Sequence, residues 1–379
     1  MGAKRPVYLD FCATTPVEPE VADLVMRYMV EDFGNAGSRT HEMGTDAKRA
    51  LEHARRQVAA AISFEPAEIH FTSGATESNN LALLGLAEYG RDAGKNHIIT
   101  TAIEHKSVLE PCRFLESQGF SITFVPPASS GAISASAVMD AIRDNTLLAT
   151  IIHANNETGA VQPIRELIGQ LHDRNVLVHT DAAQSFCKLP GQQFLRDADL
   201  VSVSGHKIGA PKGIGALAVN RRRQVHLKIR PIMHGGGQEA GLRPGTIPVA
   251  AVAGLGLASE IKAARVEATF RKCHEVRDQL VALVEGLGFS IVGSGEALPN
   301  CICVDFSPID AEAIFVALRG RYCVSNGSAC TSASRSRSHV LVAMKVHNDS
   351  IDSSIRISWD HRVNLDNLTQ MIEEIALLR

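Results

Sequence analysis

Seven short apolar runs, set among stretches of helical period, constrain this chain more than any other feature. They lie at 69–72, 97–101, 122–125, 147–153, 176–180, 199–203 and 214–219. Before the first run, Val21, Leu24, Val25 and Tyr28 repeat at helical spacing, as do Ala47, Leu51, Ala54, Val58 and Ile62. Strands that alternate with helices pair in parallel, because each crossover helix covers one face of the sheet. The pattern therefore predicts a doubly wound α/β unit with a mostly parallel, seven-stranded sheet. Beyond about residue 255 the texture changes. A long helical stretch near 252–286 leads to strands near 289–292, 301–305 and 355–358, the pattern of a smaller α+β unit. The expected division is a large domain over 16–255 and a small domain made of 1–15 and 256–379. A segment at about 325–338, rich in Ser, Ala, Gly and Arg, reads as a loop of the small domain.

Composition excludes several classes. The 379 residues are 45% apolar and 21% charged, with a formal net charge of −3, so no overall basic field points to nucleic acid. The runs Arg221-Arg-Arg223 and Arg335-Ser-Arg337 read as solvated faces. No apolar stretch approaches the ~20 residues of a membrane span. The first ten residues lack the apolar core of a secretion signal, so a cytoplasmic protein is expected. Eight cysteines occur, none in paired Cys-x-x-Cys spacing, so neither a metal site nor a disulfide framework is expected. Cys301 and Cys303 flank Ile302 on one face of a strand and read as small buried hydrophobes.

Ligands of open α/β sheets gather beyond the carboxyl ends of the strands, and the polar residues of this chain cluster there. The run at 199–203 leads into Ser204-Gly-His206-Lys207. A lysine beside a wall of apolar sheet loses hydration, which makes it a usable amine nucleophile of the kind that forms a Schiff base with pyridoxal phosphate. The run at 69–72 leads to Ser73-Gly74-Ala75-Thr76, where a helix opens with N–H groups and a hydroxyl suited to a phosphate. The run at 176–180 ends in Asp181-Ala-Ala-Gln184: the carboxylate suits a protonated pyridine nitrogen, and the amide suits the phenolic oxygen. The run at 97–101 is followed by His105, an imidazole that can stack on the ring. The run at 147–153 leads to Asn155-Asn156, suited to orienting a cofactor oxygen and a substrate. Each feature alone has a bland reading as a helix cap or a surface residue. Their coincidence does not.

With Tyr8-Leu-Asp-Phe-Cys-Ala-Thr-Thr-Pro16, Phe71-Thr-Ser-Gly-Ala-Thr-Glu77, His234-Gly-Gly-Gly237, Arg243-Pro-Gly-Thr246 and Ser354-Ile-Arg356, these residues resemble the class V aminotransferase group of fold-type I enzymes. Within it, the chain is similar to the cysteine desulfurases. The resemblance implies pyridoxal 5′-phosphate bound by Lys207, Gly74, Ala75, Thr76, His105, Asn156, Asp181, Gln184, Ser204 and His206. It also implies a homodimer in which Thr246 reaches the phosphate of the neighbouring subunit, and Arg356, with Asn156, on the substrate carboxylate. Ser325-Asn-Gly-Ser-Ala-Cys330-Thr-Ser-Ala-Ser334 resembles the long catalytic loop of the group I desulfurases. The mechanism implied has L-cysteine displace Lys207, which then removes the α-proton. His105 takes the substrate thiol proton, Cys330 attacks the sulfur and keeps it as a persulfide, and L-alanine leaves. Arg335, Arg337 and His339 are expected to favour the Cys330 thiolate.

Departures from the pattern bear on the sulfur acceptor. Arg335-Ser-Arg337 stands where Leu-Glu-Pro is usual in housekeeping members, Arg-Pro-Gly-Thr stands for the commoner Arg-Ser-Gly-Thr, and the sequence ends at Arg379 without the extended scaffold-docking tail. The chain is similar to the desulfurase of bacterial DNA phosphorothioation (Dnd) systems. An acceptor protein of iron–sulfur cluster assembly or of phosphorothioation is the partner expected, with no direct contact to DNA. The competing readings are an aminotransferase or lyase in which Cys330 is incidental, and a non-catalytic sulfur carrier on the same fold.

Overall fold

The computed structural model describes residues 5–222, 227–326 and 337–379. A two-residue strand, β1 (Val7–Tyr8), opens the chain. Seven strands then form one sheet: β2 (Ile69–Thr72), β3 (His97–Thr101), β4 (Ser121–Val125), β5 (Thr146–Thr150), β6 (Leu177–Asp181), β7 (Leu200–Ser204) and β8 (Gly215–Val219). Their spatial order is β2-β8-β7-β6-β5-β3-β4. Only β8 runs antiparallel to its neighbours, so the sheet is mostly parallel, as the spacing predicts.

Helices cover both faces, and the period of two sorts each strand between two cores. Ile99, Ala149, Val178, Val201 and Ala218 face a core shared with Val58 and Leu255. Their neighbours Ile98, Leu148, Leu177, Leu200 and Leu217 face the other side, against Leu81, Val108 and Leu115. β4, at the edge, is the one strand of this sheet that is largely half-exposed.

A second, antiparallel sheet has the order β12-β10-β9, from β9 (Ser290–Ile291), β10 (Cys301–Asp305) and β12 (Ser354–Ser358). Strand β11 (Tyr322–Cys323) pairs in parallel with β1. A third core, holding Ile302, Val304, Ile355, Ile357 and the fully buried Trp359, lies on this sheet. Helix Val249–Gly286 joins the two sheets. Its first half places Val252, Leu255 and Ala258 in the large core, and its second half places Val276, Leu280 and Val284 in the small one. Cys301 and Cys303 are both buried, on the face of β10 away from Ile302.

The N-terminal segment ties both sheets to the site. Asp10 bridges to Ser358 of β12, while Thr15 donates its backbone N–H to the His206 carbonyl at 2.9 Å.

Candidate active site

A cavity of about 550 Å³ opens beyond the carboxyl ends of the parallel strands. Gly74, Ala75, Thr76, His105, Asn156, Asp181, Gln184, Ser204, His206, Lys207 and Arg356 all line it. Residues separated by more than 280 positions in sequence thus meet in one space. Thr246 is exposed and is not among the lining residues. Cys330 and Arg335 lie outside the described residues.

Lys207 ends the short turn Gly205–Lys207 that follows β7. Its Nζ donates to the Cys12 carbonyl at 2.5 Å and the Ala13 carbonyl at 2.8 Å. Asp181 is the last residue of β6; its Oδ1 accepts from the Ala183 N–H at 2.9 Å and its Oδ2 from Asn79 at 2.7 Å. Gln184 donates through Nε2 to the Cys12 carbonyl at 2.8 Å, and its Oε1 accepts from Lys188 at 3.0 Å. One amide N–H remains for a ligand. Burial, aided by Lys207, Lys212 and Lys188, lowers His206 to about 4, so it is neutral near pH 7.

The phosphate cradle is a matter of close approach. Helix Ala75–Gly85 starts at Gly74, whose φ of 149° favours glycine, and among the described residues no side chain caps its first N–H groups. Those groups are available to an anion. The cradle sits against β8 because Gly215 has no side chain: a Cβ there would lie 2.6 Å from Gly74 Cα. Glu77 in the first turn accepts from the Ser73 N–H at 2.7 Å and pairs with Arg243 at 3.1 Å, which anchors the segment carrying Thr246 to the cradle.

Arg356 is almost fully buried. Its Nη2 pairs with Asp10 Oδ1 at 2.6 Å and its Nη1 donates to the Asn156 carbonyl at 2.8 Å, while Nε has no partner among the described residues. Burial works against its charge, but Cys12 and Asp10 outweigh that cost and raise its pKa. A buried donor left unsatisfied in a cavity suits a substrate carboxylate. The cavity volume, the open helix end, the strand-end carboxylate and the lysine fit pyridoxal phosphate as a group.

Several contributors were not singled out from the sequence. Asn79 lies behind the cavity wall, Ser107 and Lys212 line it, and Asp10 orients Arg356. Cys12 also lines the cavity. Its thiol is hydrogen-bonded with Cys301, and that bond, against burial and with help from Lys188, Arg356 and Lys207, holds Cys12 below the usual thiol range. A polar residue inside a quoted motif (Asp10, Cys12) or at a helix start (Asn79) was the available signal. Near the end of the loop, Arg337 is paired with Asp352 through two contacts of 2.8 and 2.5 Å, and His339 Nε2 lies 2.9 Å from the Glu104 carbonyl.

Known proteins resemble this chain along nearly its whole length. The family model "Aminotransferase class-V" matches residues 7–370. A cysteine desulfurase IscS of Serratia proteamaculans (strain 568) is 45% identical over 360 residues, covering 94% of this chain and 88% of the relative. Among solved structures, DndA from Streptomyces lividans superposes with a TM-score of 0.80 at 45% identity, covering 92% of this chain and 98% of that one. SspA, solved in complex with cysteine, gives a TM-score of 0.81 at 39% identity, covering 93% and 98%. A cavity at the strand ends that fits pyridoxal phosphate, and relatives this similar over so much of the chain, place it in the class V aminotransferase family, among the cysteine desulfurases.

Proposed function

We propose that the chain converts L-cysteine to L-alanine, keeps the sulfur as a persulfide on Cys330, and hands it to an acceptor protein. The observation that carries this reading is the convergence of Lys207, Asp181, His105 and Arg356 on one cavity. Pyridoxal phosphate, the cofactor of this family, supplies the electron sink that no side chain here offers. Gly74, Ala75 and Thr76 hold its phosphate, Asp181 its ring nitrogen, and Gln184, Ser204, His206 and Asn156 its remaining polar edge. Lys207 is the anchoring amine and, once released, the base that takes the α-proton. Arg356, oriented by Asp10, holds the substrate carboxylate, and its fork geometry suits that task.

The two-core layout supports a large domain over 16–255 and a small one from 1–15 and 256–379, with helix Val249–Gly286 crossing between them. No helix among the described residues is long and apolar enough to cross a membrane. We place the protein in the cytoplasm as a homodimer in which Thr246 serves the partner's phosphate cradle. The acceptor belongs to iron–sulfur cluster assembly or DNA phosphorothioation. Likeness to DndA favours the second, with no direct contact to nucleic acid.

Incubation with L-cysteine tests the reading. The expected products are alanine and a persulfide on Cys330, detected by mass spectrometry of the intact chain. Cys330→Ser should keep the cofactor's absorbance and lose sulfide release at least 100-fold, the scale on which removal of a covalent catalyst is felt. Unchanged turnover would instead indicate an aminotransferase or lyase. A Lys207→Ala chain that still forms the persulfide would point to a passive carrier.

A further inference from the structure

Along the cavity wall, four polar side chains form one directed chain. Asn79, fully buried in helix Ala75–Gly85, donates through Nδ2 to Asp181 Oδ2 at 2.7 Å and to Ser107 Oγ at 2.9 Å. An amide nitrogen carries two protons, so both are used. The inverted amide would set its oxygen against the Asp181 carboxylate, so an ionised Asp181 fixes the orientation. Ser107 Oγ, already accepting from Asn79, keeps its single proton for His105 Nδ1 at 2.7 Å. The Ser107 backbone N–H donates to the same Nδ1 at 3.1 Å. Two donors converge on one ring nitrogen. That nitrogen carries the lone pair, and the ring proton of a neutral imidazole sits on Nε2.

We infer that Asn79 and Ser107 are positioning residues that relay the Asp181 charge to His105 and hold its imidazole as an Nε2–H donor. His105 then donates an Nε2–H hydrogen bond to a bound ligand, where the sequence suggests that the ring takes a proton from the substrate thiol. The surroundings keep the ring neutral. Burial lowers its pKa first and Lys207, His339 and Lys106 lower it further, against Asp181, which raises it. His105 also caps helix Lys106–Ser117, whose positive end disfavours an imidazolium. The role of that hydrogen bond rests on the cavity being the active site; the tautomer does not.

The test is nitrogen NMR on the pyridoxal-phosphate-loaded protein labelled with 15N-histidine, without L-cysteine, so that the outcome is independent of desulfurase activity. Of the 15 histidines, His105 is assigned by its loss in His105→Gln. Near pH 7.5 the expected spectrum has a pyridine-type Nδ1 and a pyrrole-type Nε2. Ser107→Ala removes the hydroxyl donor and should give a tautomer mixture. It should also raise the His105 pKa by roughly half to one unit, the worth of one hydrogen bond to the neutral form. Ser107→Thr, which keeps the hydroxyl, should restore the wild-type signature. If Ser107→Ala does not hold cofactor, Asn79→Ala, which frees the Ser107 proton to rotate, takes its place and should also give a mixture. A wild-type His105 with a pyrrole-type Nδ1, an imidazolium at that pH, or a Ser107→Ala or Asn79→Ala spectrum identical to wild type would each overturn the relay.

Discussion

Glu104 sits one residue before the imidazole, wholly buried, with Oε1 accepting from the Thr101 hydroxyl at 2.6 Å and the Ile152 N–H at 2.8 Å. Its Oε2 has no partner among the described residues, and burial pushes its pKa up to about 8. The folded chain therefore keeps a proton that the unfolded chain releases near 4.5. Stability tied to that proton is complete below pH 4.5 and is lost as pH rises through about 8. Glu104→Gln keeps the accepting oxygen and removes the titration. The variant should match wild type at pH 5 and be more stable at pH 9 by on the order of a few kcal/mol, read from the thermal midpoints. Equal midpoints at both pH values would contradict a buried, proton-holding Glu104. At this scale the sequence placed candidate reactive groups by type at the strand ends that line the cavity, but not their partners. Nothing in the spacing of Asn79, Ser107 and His105 shows that hydrogen bonds join them, because Asn79 belongs to a different helix.

At the scale of elements, the cradle depends on the fit of helix Ala75–Gly85 against β8. A Cβ at Gly215 would stand 2.5 Å from the Val203 carbonyl as well as 2.6 Å from Gly74 Cα. Both are backbone atoms, so relief must come from moving the helix start. Gly215→Ala should cost about 1–3 kcal/mol of fit, expressed as roughly 10- to 100-fold weaker retention of pyridoxal phosphate. Cofactor absorbance after dialysis reads this directly, and full retention would refute the steric account. The seven strands of the main sheet were legible to within three residues, since all but the edge strand β4 are compact apolar runs buried on both faces. The pairing of β1 with β11 was not. Two-residue strands carry no period, and their partners lie about 315 residues apart in sequence.

For the whole molecule, the question is whether one chain completes the site. Thr246 is exposed and faces none of the cavity of its own chain, while Arg243 and Glu77 hold its segment beside the cradle. If Thr246 serves a partner's phosphate, two inactive variants should complement each other. Lys207→Ala loses the amine, and Thr246→Glu sets a negative charge against the phosphate. Mixed after dissociation and reassociation, they should regain up to about a quarter of wild-type activity, from one intact site in each of the half of dimers that are mixed. No recovery, or a 40.7 kDa monomer by light scattering, would rule out a site shared between subunits through Thr246. The sequence by itself determined the sheet, the residue types at its strand ends and the motif order, because these follow from local periodicity and from chemistry that few residues perform. Tertiary structure decided what those residues do to one another: Asp10 on Arg356, the Cys12–Cys301 pair, and the chain from Asp181 to His105. Those couplings depend on the close approach of atoms on elements distant in sequence, and only folding fixes such distances.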